Sequence, residues 1–179
     1  MSLTDQEIAD LEAQGFHFSV TARGKEQFSA EEEADWLARN SVAATFARAQ
    51  ENLVAEINVL RDAKISGGFA HDGHAFQSRQ SDRENILGKG YKAQFAVLAG
   101  AAEGDLFWDP MTGSNPFVWI TADNQLVTRD AHQMVALKDA GETFKAGLTF
   151  YARALKDAIL AAADHDALEA IDITAGWPA

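Results

Sequence analysis

The stretch Phe69-Ala70-His71-Asp72-Gly73-His74-Ala75-Phe76 carries the clearest structural signal in the chain. Its central Asp-Gly pair favours a two-residue type I′ turn, in which both residues take positive φ angles. That register places His71 opposite His74 and Phe69 opposite Phe76, with all four side chains on one face. The sequence therefore predicts a β-hairpin whose two phenylalanines pack on the core.

A long helical pattern precedes this hairpin. Ser29-x-x-Glu32 is a capping-box pattern, and the helical stretch that it begins reaches about Lys64. A continuous helix of that length would measure about 50 Å and would extend beyond a compact domain of this size. Two alternatives follow. Either the helix breaks near Asn40-Ser41, or it packs against another long helix or another subunit.

Two further helices follow the hairpin. Ser81-x-x-Glu84 is a further capping-box pattern, and it predicts a middle helix that ends near Leu98. Asp130-x-x-Gln133 predicts the start of another long helix, along which apolar or small residues recur every three or four positions as far as Ala162. Such spacing is typical of a coiled-coil seam.

The remaining segments predict short elements. Residues 117–121 and 125–128 indicate a second hairpin that turns at Asp123-Asn124, and Leu106-Phe107-Trp108 indicates a short strand. Near the N-terminus, Thr4-x-x-Glu7 predicts a short helix, and residues 16–21 alternate like a strand.

Together these patterns predict an α+β fold that is mainly helical, with two long helices, a middle helix and two β-hairpins. We expect residues 1–49 to hold an N-terminal helix, a strand and the start of the first long helix. Residues 50–179 are expected to form one compact unit that contains both hairpins and the C-terminal long helix.

The composition disfavours several classes of protein. The 179 residues carry a formal net charge of −12 and no cysteine, so the sequence offers no disulfide framework, thiolate zinc site or cysteine nucleophile. An acidic surface repels phosphate backbones, so we expect no nucleic-acid partner. Apolar runs are too short for a membrane span and no secretory signal is visible. We therefore expect no membrane partner.

His71 and His74 are the candidate metal ligands. Two imidazoles across a hairpin can bind a metal ion, with Asp72 nearby as an oxygen ligand. However, the turn itself requires Asp72, and no third and fourth ligand follows in sequence. Walker A, dinucleotide-binding and Gly-x-Ser-x-Gly motifs are also missing from the sequence. We expect no cofactor and no enzymatic activity, which leaves a small hydrolase or metal-binding protein as the least favoured alternative.

A dense polar segment follows the first hairpin. It is interpreted either as a binding or catalytic loop or as a loop-to-helix junction, and the second interpretation is favoured because Ser81 can cap the helix while arginines pair with carboxylates. The expected polar network, which would tie the hairpin to its two flanking helices, comprises Arg61, Asp62, Arg79, Asp82, Arg83, Glu84 and Asn85.

Seven motifs follow one another over residues 50–179. They are Ile57-Asn58-x-x-Arg61-Asp62, Ile65-x-Gly67-Gly68-Phe69, Asp72-Gly73-x-x-Phe76-Gln77-Ser78-Arg79, Asp82-Arg83-Glu84-Asn85-Ile86, Trp119-Ile120-Thr121-Ala122-Asp123-Asn124, Ala154-Leu155-Lys156-Asp157-Ala158-Ile159 and Gly176-Trp177-Pro178. This ordered series resembles a family of uncharacterised domains in tailed-phage and prophage proteins. Members of that family are often labelled tail-fibre or tail-fibre-assembly proteins.

The resemblance implies a structural component of a tailed-phage virion, in the tail or the fibre-attachment region. It would act through contacts with other phage structural proteins and with copies of itself, and it would be located in the virion after synthesis in the host cytoplasm. The alternative is a tail-fibre assembly chaperone that is absent from the mature particle. The positions expected to form the turn and core framework are Phe69, Asp72, Gly73, Phe76, Asp123, Asn124 and Trp177.

Overall fold

The structure is a computed structural model, and it describes residues 9, 12–13, 18–21 and 24–178 of the chain. The chain divides into two compact units, Met1–Glu51 and Asn52–Ala179. The helix predicted after Thr4-x-x-Glu7 lies mostly outside the described residues. The α+β, mainly helical fold class is confirmed.

The first unit contains a hairpin and a short helix. Strand β1 (Phe18–Thr21) pairs antiparallel with β2 (Gly24–Gln27). The second of these strands was not predicted, because its sequence lacks apolar alternation. Helix α1 (Ala30–Arg39) begins at the predicted capping box, in which Ser29 N donates to Glu32 Oε2 over 2.8 Å and Glu32 N donates to Ser29 Oγ over 3.3 Å.

The long helical stretch breaks at Asn40-Ser41, and helix α2 follows over Val42–Ser66. Asn40 Nδ2 donates to the carbonyl oxygen of Trp36 over 2.7 Å. This bond gives a side-chain donor to a backbone carbonyl in the last turn of α1. Ser41 Oγ accepts from Ala44 N over 3.2 Å and caps the new helix. Of the two alternatives, the break is confirmed.

Both predicted hairpins are present in the second unit. Strand β3 (Phe69–His71) pairs with β4 (His74–Phe76) in the predicted register. The turn residues Asp72 and Gly73 have φ angles of 50° and 75°, as a type I′ turn requires. Strand β5 (Val118–Ile120) pairs with β6 (Leu126–Thr128), and Asn124 takes a positive φ of 63° in the connecting turn.

Helix α3 (Gln80–Leu98) packs along α4 (Ala131–Ala161), and a short helix α5 (His165–Glu169) follows. The predicted capping box of α4 is confirmed, since Asp130 Oδ1 accepts from Gln133 N over 2.8 Å. A 3₁₀ turn (Pro110–Thr112) lies between α3 and β5. None of the described helices is long and apolar enough to cross a membrane.

Two local predictions are wrong. Helix α3 begins at Gln80 rather than after Ser81, because Asp82 accepts from both Arg79 N (3.0 Å) and Arg79 Nε (2.7 Å) and so fixes an earlier cap. In the segment 106–108, Leu106 and Phe107 form a turn and Trp108 has irregular backbone, so there is no strand. The carboxylate of Asp105 accepts from Phe107 N over 2.9 Å, and this local bond competes with an extended backbone.

The core of the second unit lies where the hairpins meet α3 and α4. Phe69 and Phe76 face each other at 5.8 Å between ring centroids, and Phe69 lies 5.6 Å from Phe144 of α4. The buried members of this core are Phe69, Phe76, Ile86, Ala93, Trp108, Phe117, Ala131, Met134 and Leu137. Trp177 is half-buried and packs edge-on against Tyr151 at 5.1 Å.

Candidate functional site

The two hairpins of the second unit meet in a region that we call the hairpin junction (Asp72, Ala75, Ala122 and Arg129). The backbone N–H of Ala122 donates to the carbonyl oxygen of Ala75 over 2.8 Å. Arg129 Nη1 donates to Asp72 Oδ2 over 2.6 Å. Since Arg129 lies one residue before Asp130, the N-cap of α4, these contacts connect both hairpins to the start of that helix.

The guanidinium of Arg129 is a buried charge, because only 3% of this side chain is exposed. It lies 5.4 Å from the ring centroid of Phe76, and attraction to the aromatic face offsets part of the lost hydration. The hydrogen bond from Arg129 and its charge lower the pKa of Asp72, with smaller contributions from His71 and His74. The turn carboxylate therefore stays ionised and anchors the junction.

A second group of charges, which we call the lysine clamp (Lys89, Lys92 and Asp109), ties the loop before β5 to α3. Asp109 is fully buried. Lys89 Nζ donates to Asp109 Oδ2 and Lys92 Nζ donates to Asp109 Oδ1, each over 2.6 Å. Burial would raise the pKa of Asp109, but the bonds from both lysines and from Met111 N outweigh it and lower the pKa to about 2. The clamp is therefore an anchor for the loop.

The predicted polar network forms separate local contacts instead of one network. Arg61 Nε donates to Asp62 Oδ1 over 2.8 Å within α2, and Arg79 Nε donates to Asp82 Oδ2 over 2.7 Å at the start of α3. Each of these contacts joins two residues that are at most three positions apart in the sequence. Neither of them ties the first hairpin to a flanking helix.

The other members of that predicted network also make short-range contacts or line a cleft. Arg83 Nη1 donates to the carbonyl oxygen of Ser78, just before α3. Glu84 Oε1 accepts from Gln80 Nε2 over 3.0 Å, one turn away on α3. Asn85 lines a cleft beside β5. The hairpin is fixed by Arg129, which the sequence did not indicate.

The predicted turn residues have structural partners. Asp123 Oδ1 accepts from Thr121 Oγ1 over 2.5 Å, and this bond is the main cause of the lowered pKa of Asp123. His71 and His74 face each other across the first hairpin, and each ring lies 6.4 Å from that of Phe76. Within the described part of the chain, no group of three or more His, Cys, Asp or Glu side chains could hold a metal ion.

Of the clefts that flank α3, two also reach a hairpin. One, of about 340 Å³, lies between α3 and α4, with Phe69 and Leu87 in its lining and Arg83, Glu142 and Lys145 among its charged residues. The other, of about 400 Å³, lies between α3 and β5, and its lining residues are Gln77, Asp82, Asn85, Ile86, Lys89, Phe117, Val118, Trp119 and Ile120. Both clefts have mainly apolar walls with a few polar groups, as concave binding sites do.

The outward face of α3 carries a row of exposed side chains, which we call the α3 stripe (Gly88, Tyr91, Phe95 and Leu98). Tyr91 is 49% exposed, Phe95 71% and Leu98 76%. The steps of three and four residues place all four positions on one side of the helix, opposite the buried Gly90 and Ala93. Tyr91 and Leu98 lie at the edge of this side nearer α4, where Lys138 Nζ lies 5.1 Å from the Tyr91 ring centroid and Leu98 lines a cleft with His132. Large apolar side chains aligned in this way are typical of a contact surface.

The second hairpin also exposes apolar side chains on one face. Val118, Ile120 and Leu126 are 41%, 51% and 68% exposed. Alternation along the strands turns Trp119 and Val127, which are half-buried, to the opposite face. The unit therefore presents two ordered apolar surfaces, one helical and one stranded.

Residues 48–175 match the model of a family described as a domain of unknown function, DUF4376. The chain belongs to this family. No curated protein and no solved structure matches it. The DUF4376 region holds both hairpins, α3, α4, the hairpin junction, the lysine clamp and the α3 stripe.

Sequence patterns missed the main ionic residues of the DUF4376 region. Arg129 and Asp72 are 57 positions apart, and Asp109 lies 20 and 17 positions from Lys89 and Lys92. The sequence does indicate that Lys89 and Lys92 lie together, because a spacing of three places both side chains on one side of a helix. Nothing in the sequence pointed to the residue that they would meet.

Proposed function

We propose that this DUF4376 chain is a structural component of a tailed-phage virion that acts through protein–protein contacts in the tail or fibre-attachment region. The observation that carries the proposal is the pair of ordered apolar surfaces, the α3 stripe and the outer face of β5–β6. The ordered series of motifs that resembles phage and prophage domains supplies the phage context.

The energetics of exposed apolar area support a contact role. Removing such surface from water favours association by about 25 cal/mol per Å² before the entropic and desolvation costs of binding are subtracted. Single exposed apolar residues are ordinary on any protein, but Tyr91, Phe95 and Leu98 lie in one row on one helix. An aligned row of this kind is suited to pack against another chain.

The buried ionic contacts support the same role. The lysine clamp fixes the loop that leads to β5, and Arg129 fixes the hairpin junction. A surface held on a rigid support loses less conformational entropy when it binds a partner. The proposed role is not enzymatic and needs no cofactor.

Mass spectrometry of purified particles tests this proposal. We expect the chain to co-purify with intact particles through a density gradient, at a constant ratio to known particle proteins. A chain present in the infected-cell lysate but missing from purified particles would refute the structural role. That outcome would favour the alternative, a tail-fibre assembly chaperone that leaves before the particle is complete.

A further inference from the structure

The two glycines in the middle of α3 have different surroundings. A Cβ atom at Gly90 would lie 2.4 Å from Lys138 Cβ, so close packing against α4 requires glycine there. A Cβ atom at Gly88 would meet nothing within 4 Å. Glycine in a helix interior costs about 1 kcal/mol relative to alanine. Among the described residues of the unit, nothing accounts for this cost at Gly88, which lies on the exposed α3 stripe.

The α3 stripe has the spacing of a coiled-coil seam. Glu84, Gly88, Tyr91, Phe95 and Leu98 follow one another at steps of four, three, four and three. The apolar half of this row ends in its two most exposed members, Phe95 and Leu98. A seam of this kind packs by inserting large side chains of one helix between the residues of another.

We infer that the α3 stripe is the interface between two copies of this chain, which pack α3 against α3 in antiparallel orientation. A two-fold axis level with residue 93 brings Leu98 of the second copy over Gly88, and Phe95 of the second copy against Tyr91. Gly88 then provides the space that the large side chain fills. The glycine and the exposed row thus have one common explanation.

The parallel arrangement fits less well. It would place Gly88 opposite Gly88 of the second copy and leave a gap at the centre of the seam. It would also place Glu84 beside Glu84 of the second copy, and like charges in contact are unfavourable. In the antiparallel arrangement Glu84 lies near the end of the interface, where Gln80 of its own helix donates to it.

Lys92 flanks the seam in both copies. Within each copy, the carboxylate of Asp109 in the lysine clamp neutralises its positive charge. Its Nζ lies 2.6 Å from Asp109 Oδ1, a fully buried carboxylate. The ammonium is therefore held beside an opposite charge of its own chain instead of meeting the same group of the second copy. A second copy of this acidic chain can approach α3 without direct repulsion at the seam.

The stripe is small for a protein–protein interface. Each partner in a standard interface buries about 800 Å², and three exposed side chains on one helix supply only part of that area. We expect weak association, with a dissociation constant in the micromolar range or above. Association therefore has to be measured at high protein concentration.

This inference rests on the proposed function and names a surface and a partner for it. Sedimentation velocity of the full chain between about 1 and 300 µM tests it. Wild-type protein is expected to shift from monomer to dimer, and Phe95→Asp is expected to remain monomeric, with a loss of at least tenfold in affinity. Phe150→Asp is the matched control, since Phe150 is 75% exposed on α4, outside the stripe.

Gly88→Ala keeps the test independent of misfolding. We expect it to raise the melting temperature of the chain, because alanine favours helix, and to weaken dimerisation at least tenfold, because the methyl group occupies the space for Leu98 of the second copy. A wild-type chain that stays monomeric throughout would overturn the inference. Equal dimerisation by Phe95→Asp, or equal loss in Phe150→Asp, would also overturn it.

Disulfide trapping tests the orientation, since the chain has no native cysteine. A mixture of Tyr91→Cys and Phe95→Cys chains should form the mixed disulfide much faster than either chain forms one alone. Faster 91–91 and 95–95 linkage would show parallel packing and overturn the antiparallel arrangement. Dimers with no chain in purified particles would refute only the virion role, and monomers with the chain in particles would refute only the interface.

Discussion

Replacing the buried carboxylate of the lysine clamp by an amide, Asp109→Asn, should destabilise the protein by an amount that depends on pH. The pKa of Asp109 is lowered from 3.8 to about 2 in the folded chain. At 1.36 kcal/mol per pKa unit, this difference corresponds to about 2 kcal/mol of stability at pH 7. Asparagine has the same shape but carries no charge to hold Lys89 and Lys92.

The sign of the pH dependence follows from the direction of the change. Folding lowers the pKa of Asp109. The ionised carboxylate therefore contributes its full stabilisation to the folded chain at pH values above its unfolded pKa of 3.8, and this stabilisation is lost as the pH falls through its folded pKa of about 2. About half of it remains at pH 3. The difference between wild type and Asp109→Asn should therefore stay nearly constant from pH 7 to about pH 5 and then shrink to about half by pH 3.

Urea unfolding followed by circular dichroism at a series of pH values measures this difference. The matched control is Asp157→Asn, at an exposed ion pair with Arg153 on α4, which should change the free energy of unfolding by less than about 0.5 kcal/mol. Equal midpoints for wild type and Asp109→Asn at pH 7 would refute the reasoning. A difference that stays constant down to pH 3 would show that the amide acts through packing and not through charge.

Three further substitutions test the fold. Gly90→Ala should lower the melting temperature, because the added methyl group would clash with Lys138, whereas Gly88→Ala should raise it by a few degrees; equal shifts in a thermal melt would contradict this account. Arg129→Ala should cost about 1–3 kcal/mol in a urea titration and speed amide exchange in both hairpins; unchanged exchange would show that the hairpin junction does not depend on the arginine. Gly68→Ala should destabilise the chain, since Gly68 has a φ of 97° and a Cβ there would lie 2.5 Å from a carbonyl oxygen; an unchanged melting temperature would argue against that backbone conformation.

The features that the sequence predicts well are set by neighbouring residues. The Asp72-Gly73 turn, the capping box at Ser29 and the cap of α4 at Asp130 each depend on atoms within four positions. Where two local patterns overlap, the choice between them is harder. Ser81-x-x-Glu84 and Arg79-x-x-Asp82 compete for the start of α3, and the second prevails because the carboxylate of Asp82 also pairs with the arginine side chain.

The features that the sequence does not predict depend on distant partners. Arg129 finds Asp72 across 57 positions, and nothing near either residue in sequence indicates the contact. The difference between Gly88 and Gly90 likewise appears only when α4 brings Lys138 against one of them. The exposed side of α3 could not be told from its buried side before that packing was known, because apolar residues occur on both.

The most direct test of the contact role is the copy number of the chain in purified particles, measured by quantitative mass spectrometry for wild type and for Phe95→Asp. We predict several copies of the wild-type chain per particle at a fixed ratio to other particle proteins, and a marked loss of the variant. Wild-type particles that contain none of the chain, while it remains in the lysate, would contradict a structural role in the virion.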